Sequence, residues 1–268
     1  MITFSVVTIT YNAEDVLQPT LDSVLMQDYV HVEHLIIDGA STDNTVSIAE
    51  AYKRQSDEAE NGHVVKIKSE PDGGLYFAMN KGLQQATGDY VVFLNAGDRF
   101  PAPETLDKVA LAAEVGDGEE LPAVLFGDTD IIDSKGNFLC HRRLSPPERL
   151  TWRSFRYGML VCHQAFYART DIAKVLPYDT SFRYSADVDW CIRVMKEGEH
   201  RHLLLRNIHA IVADYMQEGQ TTLHHKESLQ ERFEVMKRHY GLVHTLLCIC
   251  LSVSLILQQW FALRSVIK

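Results

Sequence analysis

Residues 4–12 read FSVVTITYN. Five of the first seven side chains are β-branched, which favours a strand over Phe4–Thr10. Polar Tyr11 and Asn12 follow at once. The same arrangement returns along the first half of the chain. His34–Asp38 (HLIID) ends in Asp38, Tyr90–Asn95 (YVVFLN) runs into Asn95-Ala96-Gly97-Asp98, and Val124–Asp128 (VLFGD) ends in Asp128. Val64–Ser69 (VVKIKS) alternates and reads as a further strand. Helical patterns lie between. Asn12 stands before Glu14 and Asp15 as a cap with first-turn acids. Ser41–Asn44 form a turn and cap ahead of a helix around Val46–Tyr52. Asp72-Gly73-Gly74 breaks the chain before a helix over Tyr76–Ala86, which Gly88 ends. Strand–helix alternation predicts an α/β fold, a mostly parallel sheet flanked by helices. Parallel strands point one way, so Thr10, Tyr11, Asn12, Asp38, Asn95, Asp98 and Asp128 converge on one sheet edge, where open α/β sheets bind ligands. Any one of them could be an ordinary loop residue. Together they mark a candidate site.

The chain has 268 residues, enough for one large domain or one with an appendage. Apolar residues make up 46% and charged residues 23%, a globular composition. Lys and Arg number 26 against 36 Asp and Glu, a net charge of −10, which argues against a nucleic-acid partner. The five cysteines are scattered, with no C-x-x-C pair, so neither a zinc ribbon nor a disulfide scaffold is expected and a reducing compartment fits. No secretory leader is expected from Met1–Thr10. Glycine-rich phosphate loops and H-E-x-x-H are absent.

Acids at a sheet edge without a phosphate loop suggest a metal-bridged diphosphate. Asp98 is the candidate ligand for a divalent metal, Mg²⁺ or Mn²⁺, which needs one or two protein carboxylates beside ligand phosphates. Asp38 could accept a hydrogen bond from a base or ribose, and Tyr11 could stack on a base. Later in the chain, Pro146-Pro147 opens a loop between two halves, and Leu229, Phe233, Met236 and Tyr240 form one face of a helix ending at Gly241. That face reads first as core packing.

Several stretches resemble family 2 glycosyltransferases. They are Thr8–Asn12 (TITYN), Ile37–Thr45 (IDGASTDNT), Glu70–Tyr76 (EPDGGLY), Ala78–Gly82 (AMNKG), Gly88–Tyr90 (GDY), Phe93–Asp98 (FLNAGD) and Ser185–Trp190 (SADVDW). The likeness spans about residues 3–240 and is nearest to enzymes of bacterial surface-polysaccharide assembly of the colanic-acid type. It implies a GT-A fold over 1–240, with a nucleotide-binding half to about 130, an acceptor-binding half over about 131–240, and a separate apolar segment at 241–268. It implies an inverting transfer of a sugar from a nucleotide-sugar donor, commonly UDP-linked, to a hydroxyl of a saccharide or lipid-linked saccharide. By the family pattern Thr10, Tyr11, Asn12, Asp38 and Asp72 contact the nucleotide, with Lys81 and Asn95 near the donor. Asp98 ends the metal motif and Asp187 is the base. There are three departures from the pattern: Asn95 and Gly97 leave the metal motif one acid, Phe77 stands where relatives carry Asp, and Ala186 replaces an acid.

A metal on Asp98 would neutralise the leaving diphosphate, so only a base for the acceptor hydroxyl is needed. Asp128, His163 and Asp189 are candidate acceptor contacts. Each has a plainer reading: a turn acid, a satisfied core histidine, and an ion pair with Arg193 four residues on. Two other functions compete. A sugar-1-phosphate nucleotidyltransferase needs a glycine-rich basic N-terminal loop, and residues 1–20 hold no Gly, Lys or Arg. A non-catalytic sugar-nucleotide-binding subunit would suit the thinned metal motif but not the retained Asp98 and Asp187. Residues 241–263 carry no Asp, Glu, Lys or Arg, and basic residues flank them. They suit a helix in the lipid interface of the cytoplasmic membrane's inner face, or one buried in protein.

Overall fold

The computed structural model describes residues 1–116, 118–217 and 225–248. Its strands are β1 (Phe4–Thr10), β2 (Val32–Asp38), β3 (Val64–Ser69), β4 (Tyr90–Phe93), β5 (Val124–Ile132), β6 (Phe138–His141), β7 (Phe166–Arg169) and β8 (Leu205–Met216). They form one sheet in the order β3-β2-β1-β4-β7-β5-β6, with β8 paired to β5. The first four strands are mutually parallel, as the alternation predicts. β7 then pairs antiparallel with both β4 and β5, and β6 antiparallel with β5.

The helices are α1 (Leu17–Leu25), α2 (Thr45–Ala59), α3 (Leu75–Gln85), α4 (Thr105–Ala113), α5 (Thr170–Val175), α6 (Ala186–His200) and α7 (His225–Tyr240). They cover both faces of the sheet. Along β2, Ile36 packs with Leu17 and Leu21 of α1 and Tyr52 of α2. Its neighbours Leu35 and Ile37 fall in the larger cluster with Met79 and Leu83 of α3. Successive strand side chains face opposite ways, so a strand buried on both sides is mostly apolar, with any polar side chain hydrogen-bonded inside. β1 is buried along its whole length. Each such Leu, Ile or Val contributes roughly 1.5–3 kcal/mol of burial.

Three local expectations change. Asn12 does not cap a helix. It sits at φ +46°, its Oδ1 accepts from the Thr42 backbone N–H at 2.9 Å, and α1 begins at Leu17. α3 ends at Ala86 rather than Gly88. Gly88 instead lets two backbones touch: a Cβ there would lie 2.6 Å from the Thr3 carbonyl oxygen. β5 continues past Asp128 to Ile132, because β8 pairs along it and satisfies its backbone. Residues 242–248 are helical, and no helix among the described residues is long and apolar enough to cross a membrane. The rest of the apolar tail lies outside the described residues.

Candidate active site

The ends of β1 and β2 and the turn after β3 build one corner. Asp38, at the end of β2, is 1% exposed. Its carboxylate accepts from Thr10 Oγ1 (3.0 Å), Ser41 N (2.9 Å), Ser41 Oγ (2.5 Å) and Ser69 Oγ (2.6 Å). Burial raises this carboxyl, but the four bonds outweigh it and hold it below its ordinary value. The expectation of direct ligand contact from Asp38 and Thr10 gives way to an internal brace. Its lone pairs are filled by protein donors that tie β1, β2 and β3 together. The exposed groups of this corner are Tyr11, 66% exposed, and half-buried Asp72. They meet over Gly39, where an added Cβ would lie 3.3 Å from Tyr11 Cδ2 and 3.2 Å from Asp72 Oδ2. A side chain there would fill the slot between ring and carboxylate. Asn12, also exposed, lies beside them through its bond to Thr42. Lys81 reaches the Pro71 carbonyl (2.9 Å) and Glu70 (3.1 Å), at the base of the same turn. Phe77 packs on the Gly73 backbone, where a Cβ would come within 2.8 Å of its ring.

Past the end of β4, Asp98 turns inward. It is 4% exposed, and its oxygens accept from Gln164 Nε2 (2.7 Å) and Met216 N (3.0 Å). Burial pushes its carboxyl up to about 7. The one orphaned oxygen nearby in the chain is Oδ1 of Asn95, buried without a partner. A single neutral oxygen beside an inward carboxylate is a poor donor set for a hard cation, and no group of three His, Cys, Asp or Glu among the described residues could hold a metal. As placed, the Asp98 carboxylate is turned onto Gln164 and Met216, and no metal site is formed among the described residues. The N-A-G-D spelling removes the side chain at Gly97 that an outward ligand would need.

Asp187 sits in the first turn of α6, half-buried. Its Oδ1 accepts the Tyr76 hydroxyl at 3.1 Å. Burial, then the Asp187 charge, keep that phenol protonated and donating. Behind it the Tyr76 ring stacks on Tyr178 (5.7 Å), and Tyr178 stacks on Trp190 (4.7 Å). Asn80 fixes Tyr178 through two bonds to its backbone, 3.0 Å to the carbonyl and 2.7 Å from the N–H. From α7, Glu231 accepts the backbone N–H groups of Arg183, Tyr184 and Ser185 (2.7–3.0 Å), the loop that delivers Asp187. Sequence reading assigned no role to Tyr76, Asn80, Tyr178 or Glu231. The first two stand inside quoted motifs, but only the packing of α3 on α6 reveals their partners.

The three candidate acceptor contacts lie elsewhere. His163 is 4% exposed, with Nε2 2.6 Å from the Tyr178 hydroxyl, and burial drives its imidazole down to about 4, so it stays neutral. It is the satisfied core histidine. Asp189 is fully buried, accepting from Arg193 (2.6 Å) and His239 (2.8 Å), and so faces α7. Burial raises its carboxyl, but those bonds outweigh it and hold it low. Asp128 lies mid-strand in β5, where burial and then Asp130 raise its carboxyl. None of the three is hydrogen-bonded to Asp187, although the Asp187 charge reaches His163.

Three comparisons bear on this site. The profile of Glycosyl transferase family 2 matches residues 5–175. A PGL/p-HBAD biosynthesis glycosyltransferase of Mycobacterium tuberculosis is 34% identical over 217 residues, 81% of this chain and 77% of that protein. Among solved structures, S. aureus TarS 1-349 in complex with UDP-GlcNAc superposes with a TM-score of 0.67 at 21% identity, over 88% of this chain and 64% of that one. Glucosyl-3-phosphoglycerate synthase of M. tuberculosis, with Mn²⁺, UDP and glucosyl-3-phosphoglycerate, gives 0.59 at 18% identity, over 90% and 81%. At these identities the solved structures speak to the fold.

Proposed function

The chain belongs to glycosyl transferase family 2 and is a glycosyltransferase, and we propose that it moves a sugar from a UDP-sugar to a hydroxyl of a saccharide or lipid-linked saccharide acceptor in surface-polysaccharide synthesis, with inversion. The observation that carries this reading is Asp187. It is a half-buried carboxylate at the sheet edge, held through Oδ1, with no hydrogen bond to Oδ2 among the described residues.

In this reading the base of the nucleotide enters the slot over Gly39, stacking on Tyr11 and meeting Asp72, with Asn12 and Lys81 at its margin and Asp38 and Thr10 bracing the floor. The unpartnered Oδ1 of Asn95 accepts a hydroxyl of the bound donor. Asp187 Oδ2 takes the proton of the acceptor hydroxyl as its oxygen bonds to the anomeric carbon. The bond from that carbon to the diphosphate breaks, and its electron pair leaves with the nucleotide. Tyr76 keeps Oδ1 occupied, so the free lone pairs of Oδ2 face the incoming hydroxyl. A divalent cation is the chemistry that usually screens a leaving diphosphate. Asp98 accepts from Gln164 and Met216, and the transfer steps fall to Asp187 and the groups around it. The apolar residues 241–268 would bring the enzyme to the inner face of the cytoplasmic membrane.

Two measurements test the reading. UDP titrated calorimetrically, with Mn²⁺ and then with EDTA, should bind in both conditions. Strict loss in EDTA would return a metal to the site, and no binding in either would remove the UDP donor. Asp187→Asn should abolish transfer while nucleotide binding stays within about twofold. Near-normal transfer would take Asp187 out of the role.

A further inference from the structure

Along α3 runs a cavity of about 600 Å³ that the transfer chemistry does not use. Phe77, Lys81 and Gln84 fall at spacings of four and three, so they share one helix face. That face is the outer one, since Tyr76, Met79 and Leu83 are among the buried residues of α3. Phe77, Asn80, Lys81 and Gln84 form one wall, and Lys68 of β3 with the turn at 71–73 forms the other. Neither Tyr11 nor Gly39 lines it, so the cavity is separate from the slot proposed for the nucleotide base, with Asp72 as a shared wall. Its volume is that of a small-molecule site, ~300–1,000 Å³.

The chemistry of the walls narrows the ligand. Phe77 is 44% exposed, an aromatic ring braced on the Gly73 backbone with much of its surface left to water. A ligand that covers it gains apolar burial. Gln84 and Gln85 give their amide N–H groups to the carbonyls of Lys174 (3.4 Å) and Lys81 (3.2 Å), which leaves the amide oxygens to accept. The two lysines bring no spare charge. Glu70 pairs with Lys68 at 3.0 Å and with Lys81 at 3.1 Å, and Asp72 adds a second acid. Two cations against two anions leave little pull on a phosphate or a carboxylate. An aromatic face beside amide acceptors and neutralised ammonium donors suits a body with one apolar face and many hydroxyls. A pyranose ring is such a body: its axial C–H bonds pack on the negative face of an arene, and its hydroxyls both donate and accept.

We propose that this cavity is a second site, set apart from the transfer centre, that holds a neutral saccharide with a pyranose ring stacked on Phe77. Phe77 and Tyr76 are chain neighbours on opposite sides of α3, so the occupant lies roughly a helix diameter, ~10 Å, from the base and is held rather than reacted. Asn80 joins the two places. It lines the cavity and fixes the backbone of Tyr178, whose ring backs Tyr76 and hence Asp187. The site goes beyond the transfer proposed above and needs neither UDP nor Asp187. Its use is to keep the remote part of a saccharide on the enzyme between transfers.

The test uses the full chain and three neutral probes that differ in linkage, maltotetraose, cellotetraose and laminaritetraose, with tetragalacturonate as the anionic control. Each is titrated with and without UDP, contact being read by saturation-transfer NMR and affinity by calorimetry. Titration runs to about 10 mM, since a saccharide stacked on one ring should bind with a Kd on the order of 1 mM. At least one neutral probe should bind, and equally well beside UDP. Phe77→Ala should weaken it by at least about tenfold. Phe77→Trp keeps an aromatic face and should retain it, a rescue that a merely structural role would not require. Gln84→Ala should weaken it by about threefold and leave UDP binding as it was. No binding of any neutral probe would overturn the proposal, as would displacement by UDP or a tighter hold on tetragalacturonate. So would undiminished binding in Phe77→Ala, or equal loss in Phe77→Ala and Phe77→Trp. Neutral-probe binding that obeys these substitutions in protein that ignores UDP would sink the donor reading and leave this site standing.

Discussion

Single side chains in this molecule do two distinct jobs, aiming a base and storing a charge. Tyr76 aims. Its hydroxyl is 3.1 Å from Asp187 Oδ1, and its ring is held by the stack on Tyr178. Tyr76→Phe keeps the ring and removes the donor, so kcat should fall by about tenfold while the donor's KM holds, since misplacing a base costs rate more than affinity. An equal fall in donor affinity would make Tyr76 a binding residue instead. Asp98 stores. Burial lifts its carboxyl from the ordinary range to about 7. Between about pH 4 and 7 the folded state therefore binds a proton that the unfolded state has released, and folding stability falls as pH rises through that window. Above pH 7 this contribution is flat, at a penalty on the order of a few kcal/mol. Asp98→Asn can still accept from Met216 N and, with the Gln164 amide turned over, donate to it. Urea unfolding at pH 5 and pH 8 should show a smaller loss of stability with pH in the variant than in the parent. An unchanged loss would mean that Asp98 is ionised throughout.

At the scale of elements, what a sequence shows depends on where the partners lie. β1 and β2 were legible because a parallel strand buried on both faces is mostly apolar, as FSVVTIT and HLIID are, whereas β3 was legible from its alternation and lies largely exposed. Asp187 was singled out only through its motif, and so was Asp98. Its position predicted an outward ligand, while its direction depends on Gln164 and Met216, 66 and 118 residues away. Asn12 looked like a cap because Asp and Glu followed it, yet its bonds go to the turn after β2. Local patterns encode local structure, and long-range hydrogen bonds leave no periodic trace. The contact of α3 with β1 is one such long-range fit. A Cβ at Gly82 would lie 2.4 Å from Val7 Cγ1. Gly82→Ala should gain about 1 kcal/mol of helix propensity yet lose more to overpacking, ~1–3 kcal/mol, against a buried strand. A lowered midpoint in urea with an unchanged slope is the expected result. A stabilised variant would show that α3 can lift from the sheet freely.

Across the whole molecule, the proposed donor corner belongs to the early strands and the proposed base to a helix more than a hundred residues later, so something must fix one against the other. α7 supplies the far anchor. Glu231 accepts three backbone N–H groups of the loop before α6, and His239 with Arg238 engages the buried Asp189 one turn on. The near anchor is Tyr76, on the donor side. The proposed base is thus held from both sides. Glu231→Ala removes only the far clamp. Hydrogen bonds to a charged group contribute ~1.5–3 kcal/mol each when shielded, less here because Glu231 is only half-buried. The fold, held by the sheet, should survive with a modest loss of stability. The loop carrying Asp187 should loosen, so transfer should fall by at least about tenfold while UDP binds as before. Hydrogen exchange should locate the change, with faster exchange at residues 183–185 and unaltered protection in β1 and β2. Intact transfer with those amides exposed would show that Tyr76 alone suffices to place the base. Loss of UDP binding in the same variant would show that the two halves of the sheet are coupled through α7.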